Sequence, residues 1–239
     1  AAENERIIWI DMLLSKRMEC IASMVTPGSR LADIGCDHAY IPIWLFETGR
    51  ITMAVAMDIR LGPLERAKEN IVHHGLEKYI QTRLSDGMEK LSPGEVNSAI
   101  LAGIGGKLIV RILSNSPRIV HSLEELVLEP QSETKALRQY LMETGFRIES
   151  EDMVLEDGKF YPVIKAVPIE QIEKLSEEQL RFGPKFLKMR HPVLMTYLQW
   201  KEKVNLRLEK SLQRTESQHA KKSLKEIQAE IQHIRAPYV

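Results

Sequence analysis

The residues best suited to chemistry lie at the ends of four apolar segments in the first half of the chain. The first segment ends in Asp33-Ile34-Gly35-Cys36-Asp37-His38, the second in Asp58-Ile59 and the third in Asp86-Gly87. The fourth ends in a bend of small residues, Ala102-Gly103-Ile104-Gly105. Glycine lets a backbone approach a ligand closely, and carboxylates accept hydrogen bonds from hydroxyl and amino groups. The set therefore suits a ligand that carries a ribose and an amine.

The spacing of these ends favours an adenosine-containing ligand. Asp58 lies 23 positions beyond Gly35, close to the ~20 at which an acidic residue of a nucleotide-binding unit can bind ribose hydroxyls. The carboxylate of Asp86 can accept a hydrogen bond from the exocyclic amine of adenine, and the bend at Gly103 leaves room for reacting groups. The dinucleotide fingerprint G-x-G-x-x-G is absent at the first turn, where Asp37 replaces the second glycine. That absence disfavours a dehydrogenase.

Each of these residues also has a purely structural interpretation. An aspartate at a strand end is more often a helix cap than a ligand, and a glycine after a strand is usually a turn. For His38, a place in the pocket wall and a capping or packing role are equally well supported, while a metal-binding role is not expected because no second ligand is near in sequence. Four consecutive strand ends of suitable type are nevertheless hard to attribute to chance.

A regular alternation of strands and helices must position these ends. Such alternation is typical of an α/β protein with a parallel sheet and right-handed crossovers, in which ligands bind at the carboxyl ends of the strands where strand order reverses. A helix over residues 7–25, stopped by Pro27-Gly28, is predicted to precede the sheet. The pattern predicts strands at 30–34, 52–57, 80–84, 98–102 and 126–128, and helices at 40–47, 61–74, 106–114 and 133–143.

The last part of the sheet breaks the alternation. Residues 147–155 and 159–167 have strand-like patterns and are joined by Asp157-Gly158, a strong hairpin signal. The sequence thus predicts a parallel sheet closed by an antiparallel hairpin. This differs from the all-parallel nicotinamide-binding sheet and is the usual form of the methyltransferase sheet.

Beyond Pro168 the composition shifts to Lys, Glu, Gln and Leu, so we divide the chain into domains at 1–168 and 169–239. Residues 175–187 form a helical connector interrupted by Gly183-Pro184, and two long helices follow over 191–233 with a turn at 215–217. Their spacing predicts an antiparallel, coiled-coil-like helical hairpin. The apolar seams are Ala220, Leu224, Ile227, Ile231 and Ile234 in the second helix and, with polar interruptions, Leu194, Leu198, Lys201, Asn205, Leu208 and Leu212 in the first.

Charge is unevenly distributed although the totals of basic and acidic residues are equal. Residues 171–239 hold 14 Lys and Arg against 8 Asp and Glu, which leaves the rest of the chain acidic. A basic tail on an acidic body suits attraction of a polyanion, while a solvated, lysine-rich helical pair explains the charge equally well.

The bulk composition is that of a soluble globular protein. The hydrophobic fraction of 44% supports a core, and no apolar run reaches the ~20 residues of a membrane span. Two cysteines, Cys20 and Cys36, are too few for a disulfide framework or a cysteine-rich zinc site. The amino-terminal residues lack a secretory-signal pattern, so we expect a cytoplasmic protein without a metal, a membrane association or an obligate protein partner.

Several longer stretches identify a family. They are Leu14-Ser15-Lys16-Arg17, Ala32-Asp33-Ile34-Gly35-Cys36-Asp37-His38-Ala39-Tyr40-Ile41-Pro42, Ser85-Asp86-Gly87, Ala102-Gly103-Ile104-Gly105-Gly106, Leu126-Val127-Leu128-Glu129-Pro130-Gln131 and Glu156-Asp157-Gly158-Lys159-Phe160-Tyr161. Through them the whole chain resembles the bacterial tRNA (adenine-N1)-methyltransferases that modify adenine 22 of the D arm, often called the TrmK family. The Asp-His-Ala-Tyr and Gly-Ile-Gly-Gly runs are the most specific parts.

The resemblance implies a Rossmann-like class I methyltransferase sheet, S-adenosylmethionine (SAM) as cofactor and a coiled-coil-like domain that helps to hold tRNA. The cofactor-binding residues would be Asp33, Gly35, Asp37, His38, Asp58, Ile59, Asp86, Gly87, Ala102 and Gly103. The catalytic centre would comprise Gly103, Ile104, Gly105, Pro130, Gln131 and Tyr161. Basic residues placed to contact RNA are Arg17, Lys201, Lys203, Arg207, Lys221, Lys222 and Lys225, although for any single one a solvated helix face is the simpler interpretation.

Two departures from familiar patterns bear on the target base. The family commonly has Gln-Pro-Asn after the fifth strand, where this chain has Glu129-Pro130-Gln131. The Asn/Asp-Pro-Pro-Tyr motif of amino-group methyltransferases is missing, which agrees with attack by a ring nitrogen. We therefore expect methylation of N1 of adenine 22; alternatives are another RNA site, a small molecule, or a non-catalytic RNA-binding protein with a vestigial SAM pocket.

Overall fold

A seven-stranded sheet in the order β3-β2-β1-β4-β5-β7-β6 organises the first part of the molecule. The computed structural model describes residues 13–213 and 218–236. It divides into two units, one extending to Glu173 and the other beginning at Lys174. The strands are β1 (Ser29–Ile34), β2 (Ile51–Asp58), β3 (Ile80–Leu84), β4 (Ser98–Ile104), β5 (Glu125–Pro130), β6 (Phe146–Glu156) and β7 (Lys159–Pro168).

Strands β1 to β5 are parallel, as the alternation predicts, and strand order reverses between β1 and β4. Strand β7 runs antiparallel to both β5 and β6. The helices of this unit are α1 (Lys16–Met24), α2 (Tyr40–Glu47), α3 (Leu61–His73), α4 (Gly106–Asn115), α5 (Pro117–Val120) and α6 (Thr134–Glu143).

Most predicted elements match the structure within two residues, with two exceptions. Helix α1 begins at Lys16 because Ser15 caps it: the Ser15 hydroxyl accepts a hydrogen bond from the Met18 amide at 3.3 Å. Residues 13–15 are therefore not helical, contrary to the prediction of a helix over 7–25, and residues 7–12 lie outside the described part. Helix α5 was not predicted, since four residues are too few to show a helical period.

The core lies on both faces of the central strands, which is why their sequences are continuous apolar runs. All six residues of β5 are buried. At the amino end of that strand, Glu125 accepts hydrogen bonds from the Thr26 amide at 2.9 Å and the Ser98 hydroxyl at 2.7 Å. The ammonium of Lys165 lies 2.9 Å from the same carboxylate. These partners stabilise a buried charge at the sheet edge opposite the carboxyl ends of β1 to β5.

The second unit consists of helices α7 (Glu177–Phe182), α8 (Pro184–Met189), α9 (Pro192–Leu212) and α10 (Gln218–Arg235). Ion pairs join Lys201 to Glu230 and Glu202 to Arg235. Glu209, seven residues after Glu202, accepts a hydrogen bond from Gln228, seven residues before Arg235, so the two long helices run antiparallel. Of the predicted seams, Leu194, Leu198, Asn205, Ile231 and Ile234 are buried, whereas Leu208 is 46% exposed.

Two predictions for the second unit fall on residues beyond the structural description. The predicted turn at 215–217 lies outside the described residues, as does the side chain of Ala220 in the second seam. Across residues 13–213 and 218–236, none of the helices combines the length and the apolar character that crossing a membrane requires.

Candidate active site

A cavity of about 720 Å³ opens at the carboxyl ends of the parallel strands, next to the β1–β4 reversal. Its volume is within the range of ligand pockets, roughly 300–1,000 Å³. All four predicted strand ends contribute to it. From the predicted set its wall contains Asp33, Gly35, Asp37, His38, Asp58, Ile59, Asp86, Gly87, Ala102, Gly103, Ile104 and Gln131.

The loop after β1 is held by strand β2. The amides of Gly35 and Cys36 both donate to the Met57 carbonyl, at 2.8 and 2.9 Å. This anchor is followed by two non-glycine residues in the left-handed region, Asp37 at φ +44° and Ala39 at φ +56°. Such conformations persist only where surrounding structure enforces them and are concentrated at functional sites. The loop is thus shaped to curve around whatever occupies the cavity.

His38 lies in the pocket wall and also packs. Its ring stacks on Tyr40 with centroids 5.0 Å apart and an interplanar angle of 6°, and its carbonyl accepts a hydrogen bond from the Asn70 side chain at 2.9 Å. His38 therefore has both the position in the pocket wall and the packing contacts that the sequence left open as alternatives. Among the described residues, no group of three or more His, Cys, Asp or Glu side chains is placed to bind a metal ion.

Asp33 and Asp58 bring two buried carboxyl groups to adjacent strand ends, each only 6% exposed. Burial and the neighbouring charge of Asp58 raise the pKa of Asp33 to about 7. One oxygen of Asp58 accepts the Arg60 amide at 2.9 Å. A cation next to Asp33 would favour its ionised form, so the pocket suits a ligand with a positive group at this end and a hydroxyl-rich group by Asp58.

The opposite side of the cavity is formed by the end of β4 and by Gln131, the residue that follows β5. Gly103 adopts φ +75°, and its amide donates to Glu129 at 2.8 Å. The guanidinium of Arg17 reaches the same carboxylate at 3.3 Å and lies 5.0 Å from the centre of the Tyr161 ring. Residues from α1, β4, β5 and β7 therefore meet beside the Gly103 bend.

Comparison with known proteins assigns the chain to a family. The methyltransferase-domain profile matches residues 14–164. The Bacillus subtilis tRNA (adenine(22)-N(1))-methyltransferase is 34% identical over 156 residues, which cover 65% of this chain and 66% of that protein. A Streptococcus pneumoniae structure in complex with S-adenosyl-L-methionine is 35% identical, covers 94% of this chain and 99% of that one, and has a TM-score of 0.84. The chain belongs to the family of tRNA (adenine(22)-N1)-methyltransferases.

A further solved member of the family is TrmK of Mycoplasma capricolum in complex with S-adenosyl-homocysteine. It is 27% identical, covers 94% of this chain and 97% of that one, and has a TM-score of 0.81. The family's cofactor is SAM. The chain's Rossmann-like α/β methyltransferase fold agrees with the family's.

Not every site residue that the family pattern implies lines the cavity in the described structure. Gly105 faces the loop after β5, where an added Cβ would lie 3.0 Å from the Ser132 hydroxyl. Pro130 is buried at the end of β5. Tyr161 meets the site only through Arg17. These three predictions came from position within family motifs, which does not reveal the direction of a side chain.

The cavity wall also contains residues that the sequence analysis missed. Arg17, assigned to RNA contact, lies in the wall itself, together with Met18 and Ile21 of α1. The remaining unpredicted residues are Ile34, Cys36, Tyr40, Ile41, Arg60, Arg66, Ser85, Leu108, Arg111 and Ile112. Ile34 ends β1, and Cys36, Arg60 and Ser85 lie within two residues after a strand, a position that would have indicated them. The others lie inside helices, which gives no such signal.

The predicted RNA-binding residues of the helical pair fall into two groups. Lys201 pairs with Glu230 at 2.6 Å and lies 5.7 Å from the centre of the Tyr197 ring, so its charge serves packing of α9 on α10. The side chain of Lys221 lies outside the described part. By contrast, Lys203, Arg207, Lys222 and Lys225 are exposed and form no ion pair with another described residue.

Replacing Gly106 by Ala should destabilise the protein by about 2–3 kcal/mol. A Cβ at this buried position would lie 2.7 Å from the Ser132 carbonyl oxygen and 2.8 Å from that of Glu133, so the backbone must shift. Thermal unfolding of G106A measures the loss. The matched control is G62A in α3, where the nearest atom is the Arg66 guanidinium at 3.8 Å; a gain of up to ~1 kcal/mol is expected there. Equal melting temperatures for the two variants would contradict the packing role of Gly106.

Proposed function

We propose that the chain transfers a methyl group from SAM to N1 of adenine 22 in the D arm of tRNA. The observation that carries this proposal is the convergence of Asp33, Asp58, Asp86 and the Gly103 bend on one cavity. The carboxylates of Asp33, Asp58 and Asp86 provide acceptors for the cationic methionine end, the ribose and the adenine amine of SAM, in that order along the sheet edge. The Gly103 bend leaves room for the reacting groups. The relatives named above are described by that reaction or hold the cofactor and its product.

When bound, SAM supplies an electrophilic methyl group on a sulfonium centre. The protein's residues must then orient it towards the target base and exclude water. Adenine N1 carries an in-plane lone pair, so no strong general base is needed and alignment is the main task. The Gly103 bend leaves space for the transfer, and Arg17, which packs against Tyr161, forms the wall beside it.

The target base must leave its stack before it can reach the cavity, at a cost of a few kcal/mol. Contacts of basic side chains with phosphates can offset that cost. We assign these contacts to the exposed basic residues Lys203, Arg207, Lys222 and Lys225 of the second unit. In this proposal the α9–α10 pair is a coiled-coil-like tRNA-binding domain, and the β6–β7 hairpin gives the sheet its class I methyltransferase form.

Labelled methyl transfer from SAM to total bacterial tRNA should yield N1-methyladenosine at position 22. Digestion and chromatography identify the nucleoside, and a primer-extension stop maps the position. A tRNA transcript in which adenine 22 is replaced by guanine is the matched control and should accept no label. Label appearing only as N6-methyladenosine, or label on the control transcript equal to that on the parent, would contradict the proposal.

A further inference from the structure

The side chain of Glu129 lies inside the protein beside the reaction centre without facing the cavity. It is the penultimate residue of β5 and is fully buried, at 0% exposure. It pairs in register with Ala102, the residue directly before the Gly103 bend. A carboxyl group in this position is costly unless its charge is compensated, so its partners indicate its role.

One oxygen of Glu129 binds two parts of the cavity wall at once. Oε2 accepts the Gly103 amide at 2.8 Å and the Arg17 guanidinium at 3.3 Å. The other oxygen, Oε1, is buried and has no hydrogen-bond partner in the described part of the chain. The carboxylate thus links the β4 bend to helix α1, residues that are 86 positions apart in sequence.

Both the Gly103 backbone and the Arg17 guanidinium can change conformation when the Glu129 carboxylate is absent. Gly103 adopts a left-handed conformation at φ +75°, and a glycine can also adopt many other backbone conformations. The guanidinium of Arg17 is at the end of a long side chain that is 23% exposed, and it lies 5.0 Å from the centre of the Tyr161 ring. A Cβ placed on Gly103 would be 3.9 Å from the Arg17 guanidinium, so a shift of either group changes the space beside the bend.

We propose that Glu129 is a positioning residue for methyl transfer, which holds the Gly103 bend and the Arg17 guanidinium in one arrangement through a single carboxylate oxygen. The inference rests on the proposed function for its reaction. Burial raises the pKa of Glu129, while the Gly103 amide and the charge of Arg17 act in the opposite direction, which agrees with a carboxyl group held inside by these two partners. Because its side chain is fully buried, Glu129 acts through its neighbours and does not touch the base.

The variant E129A tests this role, with E125A as its matched control. Both glutamates are buried in β5, at opposite ends of the same strand. For E129A we expect kcat for tRNA to fall by on the order of 100-fold, the scale of a small misplacement, while Kd for SAM stays within about threefold. E129Q keeps an acceptor for the Gly103 amide, so its kcat should be about a tenth of the wild-type value or more. E125A, which removes a structural charge, should lower the melting temperature but leave kcat within about twofold below its transition.

Two further measurements separate this inference from the proposed function. In a double-mutant cycle, E129A and R17A should be non-additive, since each removes the same contact. Hydrogen exchange of the Gly103 amide should accelerate in E129A and not in E125A, and this measurement needs no RNA. An E129A enzyme with wild-type kcat, a SAM affinity that falls in proportion to kcat, or unchanged protection of the Gly103 amide would overturn the inference. Failure of the wild-type protein to methylate tRNA would instead contradict the proposed function.

Discussion

Replacing Asp33 by Asn should abolish most SAM binding and at the same time raise the melting temperature of the cofactor-free protein. In the proposed function the carboxylate of Asp33 binds the cationic end of the cofactor, and loss of a charge-assisted contact costs about 3 kcal/mol, or roughly 100-fold in Kd. Isothermal titration calorimetry measures this loss directly.

The gain in stability follows from the raised pKa. The carboxyl of Asp33 titrates at about 7 in the folded protein, against 3.8 without the fold. It therefore holds its proton more tightly when folded, and wild-type stability falls as the pH rises from about 4 to about 7. Above pH 7 the accumulated penalty is about 4 kcal/mol, which Asn escapes. We expect D33N to melt on the order of 10 °C higher at pH 8, with a much smaller difference at pH 4.

The same titration predicts how cofactor binding depends on pH. SAM should bind the ionised form of Asp33, so wild-type Kd should increase by roughly tenfold between pH 8 and pH 6 as the carboxyl gains its proton. The weak residual binding of D33N should be independent of pH over that range. A D33N protein that binds SAM as the wild type does, or that is less stable than the wild type at pH 8, would contradict the assigned role of Asp33.

Removing four exposed positive charges from the second unit should weaken tRNA binding strongly without affecting the cofactor. We expect the variant K203A/R207A/K222A/K225A to raise KM for tRNA by roughly 100-fold at moderate salt, because it loses contacts with phosphates. Each lost phosphate contact should also flatten the salt dependence of binding by about one unit of slope. Kd for SAM should not change, because the cavity is formed entirely by residues 17–131.

The control for this variant removes four positive charges from the first unit. Lys68, Lys78, Lys90 and Arg118 are exposed residues of the first unit, and their replacement by Ala should change KM for tRNA by less than about threefold. K201A offers a second comparison, since Lys201 is paired with Glu230; its main effect should be on thermal stability. If the two quadruple variants raised KM equally, the second unit would have no special part in RNA binding.

The sequence predicted the parts of this molecule that depend on local pattern. Continuous apolar runs indicated the parallel strands because such strands are buried on both faces. The rule that ligands bind at carboxyl strand ends then located Asp33, Asp58 and Asp86 in a common site, and the structure places all three in one cavity wall.

Contacts between distant residues could not be predicted in this way. The contact between Arg17 and Glu129 joins residues 112 positions apart, and no local period encodes it. Gly105 and Gly106 followed the expected motif, but their closeness to residues 132 and 133 depends on how two loops pack. The pairing of Lys201 with Glu230 depends on the register of two helices, which a heptad pattern constrains only within each helix.

The left-handed residues of the first loop affect the entropy of cofactor binding. Asp37 and Ala39 hold strained conformations, at φ +44° and +56°, each at a cost of order 1–3 kcal/mol. A flexible loop would have to be ordered at the moment of binding, which lowers affinity. The strained residues are instead held by the fold, so the protein gives up a part of its stability for an ordered loop at the cavity.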